Sequence, residues 1–522
     1  MIERLAVVPN GDGIGKIQQV QFGGYWHTPA AQDGEIWDME NMSGRDFPLL
    51  SPRLPRWLWR RLTKPNGLYA HDGLYWVDGT TLYADGRAVG TVEDSPKRFV
   101  SLGAYIIILP DMRYYQRLTG EFGELAASWT GTVEFRDGEY AGVEAKGNTM
   151  VTTGTPFPFR AGDAVTISGA GENDGSIIIR EVSADGRTLV FYENSFTVGK
   201  EDAVSVSREV PVLRFACENE NRLWGCDGDT IYASKPGDPF NFNVFDGLST
   251  DSFAVTVGSA GDFTACVSYM GYPCFFKENQ IYKVYGSKPS DFQVMGSASL
   301  GVDAGSSASP AAAGETLYYL SRVGITAYAG GIPQSVAEAF GGVRYQDAVG
   351  GSDGERYYVS MRDGTGAWSL FCYDTGKRLW HREDAVQAVA FAYHGGLWML
   401  AADGRLWLMG GAEEVPVDAV EETQTASRVE FGDFVEGSPN RKGTAKLQMR
   451  VELEAGASLT VRMMFDSDGI WRTVATLSTP IKRSYYLPII PRRSDHFRIA
   501  LDGVGEWKLY SLTREHYSGS EL

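Results

Sequence analysis

NRLWGCDGDTIYASKPGDPFNFNVF (Asn221–Phe245) reads as one unit of antiparallel sheet with an irregular exit. Arg222 to Gly225 is a short apolar, aromatic strand. Asp227-Gly228 suits a tight hairpin, because glycine takes positive φ without steric cost and aspartate tolerates turn conformations. Thr230 to Ser234 returns as a second β-rich strand. Lys235 to Pro239 then ends the pairing, since each proline lacks a donor and the glycine permits a sharp redirection. Phe240-Asn241-Phe242 follows as an aromatic tail that must pack on something. Trp224, Tyr232, Pro236, Asp238, Pro239, Phe240 and Phe242 are therefore expected to be structural. Asp238 should brace the turn, and Phe240 and Phe242 should be buried.

The same rhythm recurs on both sides. Gly67–Val92 carries three Asp-Gly turns between strands that alternate aromatic and polar residues. Cys274–Phe292, Glu315–Val336, Glu355–Trp380 and Gly395–Gly411 repeat the pattern, and Phe99–Leu118 supplies a further unit. Degenerate meanders of about 25 to 45 residues are the signature of a β-propeller.

A chain of 522 residues calls for more than one core. Its 62 glycines and 12% aromatic content fit a turn-rich all-β architecture, and no long segment shows helical apolar periodicity. A formal net charge of -18 argues against a protein that grips nucleic acid, because phosphate contacts need an excess of Lys and Arg. The five cysteines include no CxxC and are expected to be buried free thiols in a chain folded in a reducing compartment. The opening MIERLAVVPNGDG has the pattern of neither a signal nor a transit peptide, and no apolar run reaches membrane-spanning length, so no membrane insertion is expected.

Taken in order, residues 1–65 read as an extended arm anchored by Tyr25, Trp26, Trp37 and Trp57. These rings either pack the arm on the chain's own propeller or, for Tyr25, Trp26 and Trp37 in particular, serve as contacts to a neighbouring subunit, and removing residues 1–60 should weaken assembly more than the subunit fold. Residues 66–126 and 210–411 are the propeller. Residues 127–209 read as an inserted small open β-barrel with strands near Ala164–Ser168, Ser176–Val182 and Thr188–Tyr192, and with Val165, Ile167, Ile177, Ile179, Val182, Leu189, Val190 and Phe191 inside. The ends of this insertion, near Ala127 and Glu209, should lie close together. Residues 412–428 are an acidic linker. Residues 429–522 form a C-terminal β-sandwich: Leu447, Met449, Val451 and Leu453 face one way, and Leu459, Val461, Met463 and Phe465 repeat the alternation.

Signals for chemistry are sparse. The six histidines form no HxH, HExxH or spaced cluster with acids. Asp466-Ser467-Asp468-Gly469 has half of a calcium loop and reads as a hairpin turn. Fifteen Asp-Gly pairs make turn chemistry the ordinary role of an aspartate in this chain. There is neither a GxSxG nor a P-loop, and no catalytic, cofactor or metal residues are assigned. Arg492 and Arg493 are a basic spot that reads as a solvated turn, with contact to an acidic neighbouring surface as the functional alternative.

RLWGCDGDTIYASKPGDPFNF (Arg222–Phe242), together with DMENMSGRDFPLLSPR (Asp38–Arg53) and YYLPIIPRRSDHFRIALDGVGEWKLYSLTRE (Tyr485–Glu515), resembles the tail nozzle, or tail tubular B, proteins of short-tailed bacteriophages and related prophage tail proteins. The resemblance implies a virion protein made in the bacterial cytoplasm and a homo-oligomer, a hexameric ring around the DNA exit channel. It also implies contacts to other tail proteins such as an adaptor, fibre or tip, double-stranded DNA passing without specific binding, no cofactor and no catalytic activity. The 127–209 insertion and the terminal sandwich depart from that pattern. A second reading from a different class is a carbohydrate-binding receptor-recognition protein, or a glycoside hydrolase, built on the propeller; its acids need not be near in sequence.

Overall fold

The computed structural model describes residues 14–29, 32–137, 146–192, 195–423, 426–437, 440–490 and 492–518. The opening thirteen residues and the last four lie outside that set. The described chain is all-β: blade-like sheets of a propeller, an inserted barrel and a C-terminal sandwich, with only short 3₁₀ turns such as Glu338–Phe340. No helix is long and apolar enough to cross a membrane among the described residues. Contacts divide the chain into two compact units, residues 66–304 and residues 1–65 with 305–522.

The first unit holds four four-stranded antiparallel meanders. Their strands are Pro65–Ala70 to Arg87–Thr91, Arg98–Leu102 to Phe122–Glu124, Phe215–Asn219 to Phe253–Thr256, and Ala265–Tyr269 to Gln293–Ala298. The second strand of each is apolar almost throughout and buried, as in Tyr105–Leu109 and Tyr272–Lys277. Such a strand packs on both faces, so it loses the period-2 alternation of a half-solvated strand. In the third blade the turn before Arg222 is Glu220-Asn221, with φ of 49° and 59°. That register sets Cys217 opposite Trp224.

Between the second and third blades the chain enters the barrel. Ala127–Asp137 pairs with both Gly199–Arg208 and Lys146–Val151, and the ladder continues through Ala164–Ser168, Gly175–Val182 and Thr188–Phe191, closing on itself. The two ends lie side by side, Ala127 opposite Arg208. Val165, Ile167, Ile179, Leu189 and Phe191 fill the interior with Phe135, Phe196, Val204 and Val206, and Ile177 and Val182 pack at its margin. Val190 is not part of that core; between buried Leu189 and Phe191 the pleat turns it outward. A closed barrel with its own core is a self-contained module.

The second unit holds three further blades and the sandwich. The blades run Ala311–Ala313 to Gln334–Ser335, Tyr345–Ser352 to Leu379–Asp384, and Ala388–Tyr393 to Arg405–Leu408. The last takes its fourth strand from the N-terminal region, Trp57–Arg61, which in turn pairs with Val420–Glu421 of the expected linker. Each sheet of the sandwich also has an N-terminal strand at its edge: Ile14–Gln19 pairs with Trp507–Ser518, and Ile36–Glu40 pairs with Ala426–Phe431. Leu447, Met449, Val451 and Leu453 meet Leu459, Val461, Met463 and Phe465 in the core, closed by Ile499, Leu501, Trp507 and Leu509.

Residues 1–65 are therefore not a separate arm. Ile14–Gln19, Ile36–Glu40 and Trp57–Arg61 complete three sheets of the same chain, and the reason is hydrogen bonding: each of those edges would otherwise present an unpaired row of backbone groups. Arg56, 2% exposed in its side chain, donates to Glu383 at 2.6 Å and contacts Asp384 at 2.6 Å, while Arg53 donates to Glu422 at 2.8 Å.

His381 lies at the same joint, 3% exposed, where a Cβ on Gly44 would come within 2.7 Å of its ring. Burial lowers its pKa to about 4. The unfolded imidazole takes up its proton near its ordinary value of 6.5, so between about 6.5 and about 4 the unfolded state binds more protons than the native one. Stability should hold above pH 6.5 and fall by on the order of 3 kcal/mol as pH drops through that window. Urea titrations at pH 7 and pH 4.5 check this, and His381→Gln should flatten the difference.

Candidate functional site

The exit of Asn221–Phe245 is a joint. Lys235-Pro236-Gly237-Asp238 forms a turn closed by the Asp238 amide on the Lys235 carbonyl at 3.2 Å. Proline sits where φ is fixed and Gly237 has φ of 70°, the arrangement a type II turn requires. Asp238 Oδ1 accepts from the Phe240 amide at 2.9 Å, and Oδ2 accepts from Asn241 Nδ2 at 2.6 Å. Pro239 is buried and Pro236 half-buried. Phe240 stands edge-on to Tyr105 and Tyr114, with ring centroids 5.4 and 5.0 Å away. Phe242 is buried with it beside Leu213 and Leu223, and Tyr232 is half-buried against the same cluster. Trp224 packs between the third and fourth blades against Phe275 and Phe292. Replacing Asp238 by Ala removes two bonds accepted by a carboxylate and should cost about 1 to 3 kcal/mol in a denaturant titration.

Asn241 carries this turn into the barrel. Its Oδ1 accepts from the Ala164 amide at 2.8 Å, and its Nδ2 donates to Asp163 at 3.3 Å. Asp163 is ion-paired with Arg208, and their side chains are 3% and 4% exposed. Arg208 also donates twice to the carbonyl of Leu125, at 3.1 and 2.7 Å. The guanidinium groups of Arg160 and Arg208 lie 4.4 and 4.8 Å from the Phe240 ring centroid. Arg160 reaches back to Tyr114 at 2.7 Å and Glu121 at 2.6 Å, where burial and the Glu121 carboxylate push the Tyr114 phenol up to about 12. A cavity of about 840 Å³ opens beside this junction, lined by Tyr114, Glu121, Arg160 and Arg208 but by none of the seven motif residues. Asp163, Arg160 and Arg208 carry the clamp from the barrel side. No local motif marks them, because their partners stand up to 83 residues away in sequence.

Asp38–Arg53 is a joint as well. Asp38 accepts from Arg382 at 2.8 Å, Asn41 donates to the Ala426 carbonyl at 2.8 Å, and Arg53 donates to Asn41 at 2.8 Å. Tyr25 is 5% exposed, edge-on to Phe371 at 5.2 Å, and its amide donates to the Trp380 carbonyl. It is an internal anchor, not a contact offered to a neighbour. Trp37 is half-buried against His27 at 3.9 Å, with the Arg498 guanidinium 5.3 Å from its ring. Arg492 is exposed, 5.4 Å from the Phe465 ring centroid and 3.7 Å from Asp468; Arg493 is exposed and pairs through its backbone with Gly443.

Chemistry-bearing groups gather at two other places. Trp26 is half-buried in a groove of about 810 Å³ beside Glu35, Glu315, Glu338, Arg378 and Trp380. This mixture of rings and carboxylates suits a polar ligand with an apolar face. At the sandwich hairpin that the sequence marks as a turn, Ser467 Oγ lies 2.7 Å from His496 Nε2, and His496 Nδ1 lies 2.5 Å from Asp495. Donor atoms of Asp466, Asp495 and His496 fall within 4.8 Å of one another. Ser467 and Asp495 are exposed, so water competes for both groups.

No family model matches the chain, and no curated protein does. Among solved structures it is similar to the crystal structure of RRP9 WD40 repeats, at 7% identity and a TM-score of 0.33 over 69% of this chain and 99% of that one. It is also similar to an exo-beta-1,3-galactanase from Phanerochaete chrysosporium, at 8% identity and a TM-score of 0.21, covering 57% of this chain and 94% of that one. A third is the Trypanosoma rangeli sialidase in complex with the inhibitor DANA, at 10% identity and a TM-score of 0.20 over 81% of this chain and 93% of that one. The expectation that the chain has no catalytic activity is corrected here, because glycoside-processing enzymes stand among the structures it resembles. At these similarities no activity passes from them to this chain.

Proposed function

We propose that the chain is a structural subunit of a bacteriophage tail, a nozzle or hub component that assembles with copies of itself into a ring. In this reading it holds other tail proteins in place while double-stranded DNA passes its acidic surface. The observation that supports it is the clamp on the inserted barrel: Asn241, Asp163 and Arg208 fix a self-contained module to the blades through buried charge and hydrogen bonds. A module held at a set angle suits docking of a neighbouring component. The segments that resemble tail proteins, Arg222–Phe242 and Asp38–Arg53, are the segments that form such joints. Its place would be the virion tail, after synthesis in the bacterial cytoplasm.

The groove beside Trp26 favours a second reading, a carbohydrate-binding or glycoside-processing propeller. Its three carboxylates and a partly exposed indole suit sugar hydroxyls and a sugar ring face. Native mass measurement and a glycan array on the full chain separate the two. A multi-subunit ring without glycan retention supports the tail reading. A monomer that retains a glycan, and loses it on Trp26→Ala, supports the other.

A further inference from the structure

Four of the five cysteines lie in two successive blades, and two of them face each other between the inner strands. Cys217 is on Phe215–Asn219 and Cys266 on Ala265–Tyr269, with their sulfur atoms 3.2 Å apart. Two residues further along each strand, Asn219 Nδ2 donates to Ser268 Oγ at 3.0 Å. Because side chains repeat on one face every second residue, these two pairs fix the strands in register and hold the thiols toward each other. Cys226 and Cys274, on the adjoining strands, are fully buried at 0% exposure, whereas Cys217 is 8% exposed and Cys266 half-buried.

We propose that Cys217 and Cys266 are a disulfide-forming pair that staples the third blade to the fourth when the chain meets a low-molecular-weight disulfide such as oxidised glutathione. Cys266, the more accessible of the two, loses its proton to solvent, and its thiolate attacks one sulfur of the reagent. A mixed disulfide forms as the first glutathione thiolate leaves. The deprotonated Cys217 sulfur then attacks the Cys266 sulfur and expels the second glutathione thiolate, and both leaving thiolates take up protons. In sum, two protein thiols are oxidised and one small disulfide is reduced to two thiols. The final approach from 3.2 Å to bonding distance is small enough for side-chain rotation. Burial and the neighbouring Cys217 raise the Cys266 pKa, so the reaction should be slow at neutral pH and quicken as pH rises.

The test uses the full chain, incubated folded with oxidised glutathione at pH 8.5, alkylated, then unfolded, alkylated with a second reagent and mapped by peptide mass. The expected product is one peptide pair joining Cys217 to Cys266, two hydrogens lighter, with Cys226, Cys274 and Cys372 labelled only after unfolding. Its thermal midpoint should rise, and dithiothreitol should reverse the rise. In Cys217→Ser the reaction should stop at glutathione on Cys266. A stable glutathione adduct on Cys266 of the wild-type chain would overturn the proposal, and so would recovery of all five cysteines as alkylated thiols. Where the serine variant fails to fold, the wild-type map decides alone.

Discussion

Replacing Arg208 by Ala should destabilise the residue 66–304 unit by about 3 to 5 kcal/mol, the usual effect of breaking a buried ion pair by removing one partner. Asp163 would keep the amide of Arg160 and the side chain of Asn241 but lose its cation, while remaining 3% exposed in its side chain. The Leu125 carbonyl would lose both of its Arg208 donors, and Phe240 would lose one of the two guanidinium groups over its ring. The double variant Arg208→Met, Asp163→Leu should recover part of that loss, because no uncompensated charge remains buried. Replacing residues 127–209 by a short Gly/Ser linker also removes both charges. The four blades should then stay folded with a lower melting temperature, since the barrel carries its own core and loop closure costs little. Calorimetry on the three variants checks this order, and an excised chain that unfolds would make the barrel part of the blade core.

Deleting residues 1–62 should have a larger effect still: loss of cooperative folding across the residue 305–522 region. The deletion strips an edge strand from each sandwich sheet and the fourth strand from the last blade. It also leaves Glu383, 8% exposed in its side chain, without Arg56. The side chains of Phe22, Tyr25, Ile36, Met39, Met42 and Leu50 leave the same core. At about 1.5 to 3 kcal/mol for each large buried apolar side chain, that loss alone is as large as the usual stability of a whole domain, about 5 to 15 kcal/mol. Near-UV circular dichroism and proton NMR of the truncated chain check it. A cooperative melt close to that of the full chain would show that the N-terminal strands are ornaments on the sheets.

What the sequence made legible follows from range. Local turn chemistry and period-2 alternation are short-range signals, so Ala164–Ser168 and the Leu447–Leu453 alternation are visible in the residues alone. The continuous apolar run of each second blade strand is equally plain. The partners of the N-terminal strands were not legible, because an edge strand looks the same wherever it docks: Ile14–Gln19 carries no mark that it pairs with residues near 515. Phe240 and Phe242 announce that something must cover them, but not that Arg160 and Arg208 of the barrel lie over Phe240. The Cys217–Cys266 approach depends on the register between two blades, which no local pattern specifies. Ser467, His496 and Asp495 likewise meet through a hairpin and a strand entry 29 residues apart.

The proposal that this chain is a ring-forming tail subunit is tested by the native mass of the purified full-length protein, measured with electron micrographs of the same sample. The expected result is a closed ring of several copies that does not retain duplex DNA at physiological salt. A stable monomer at micromolar concentration, with its glycan ligand held beside Trp26, would contradict it.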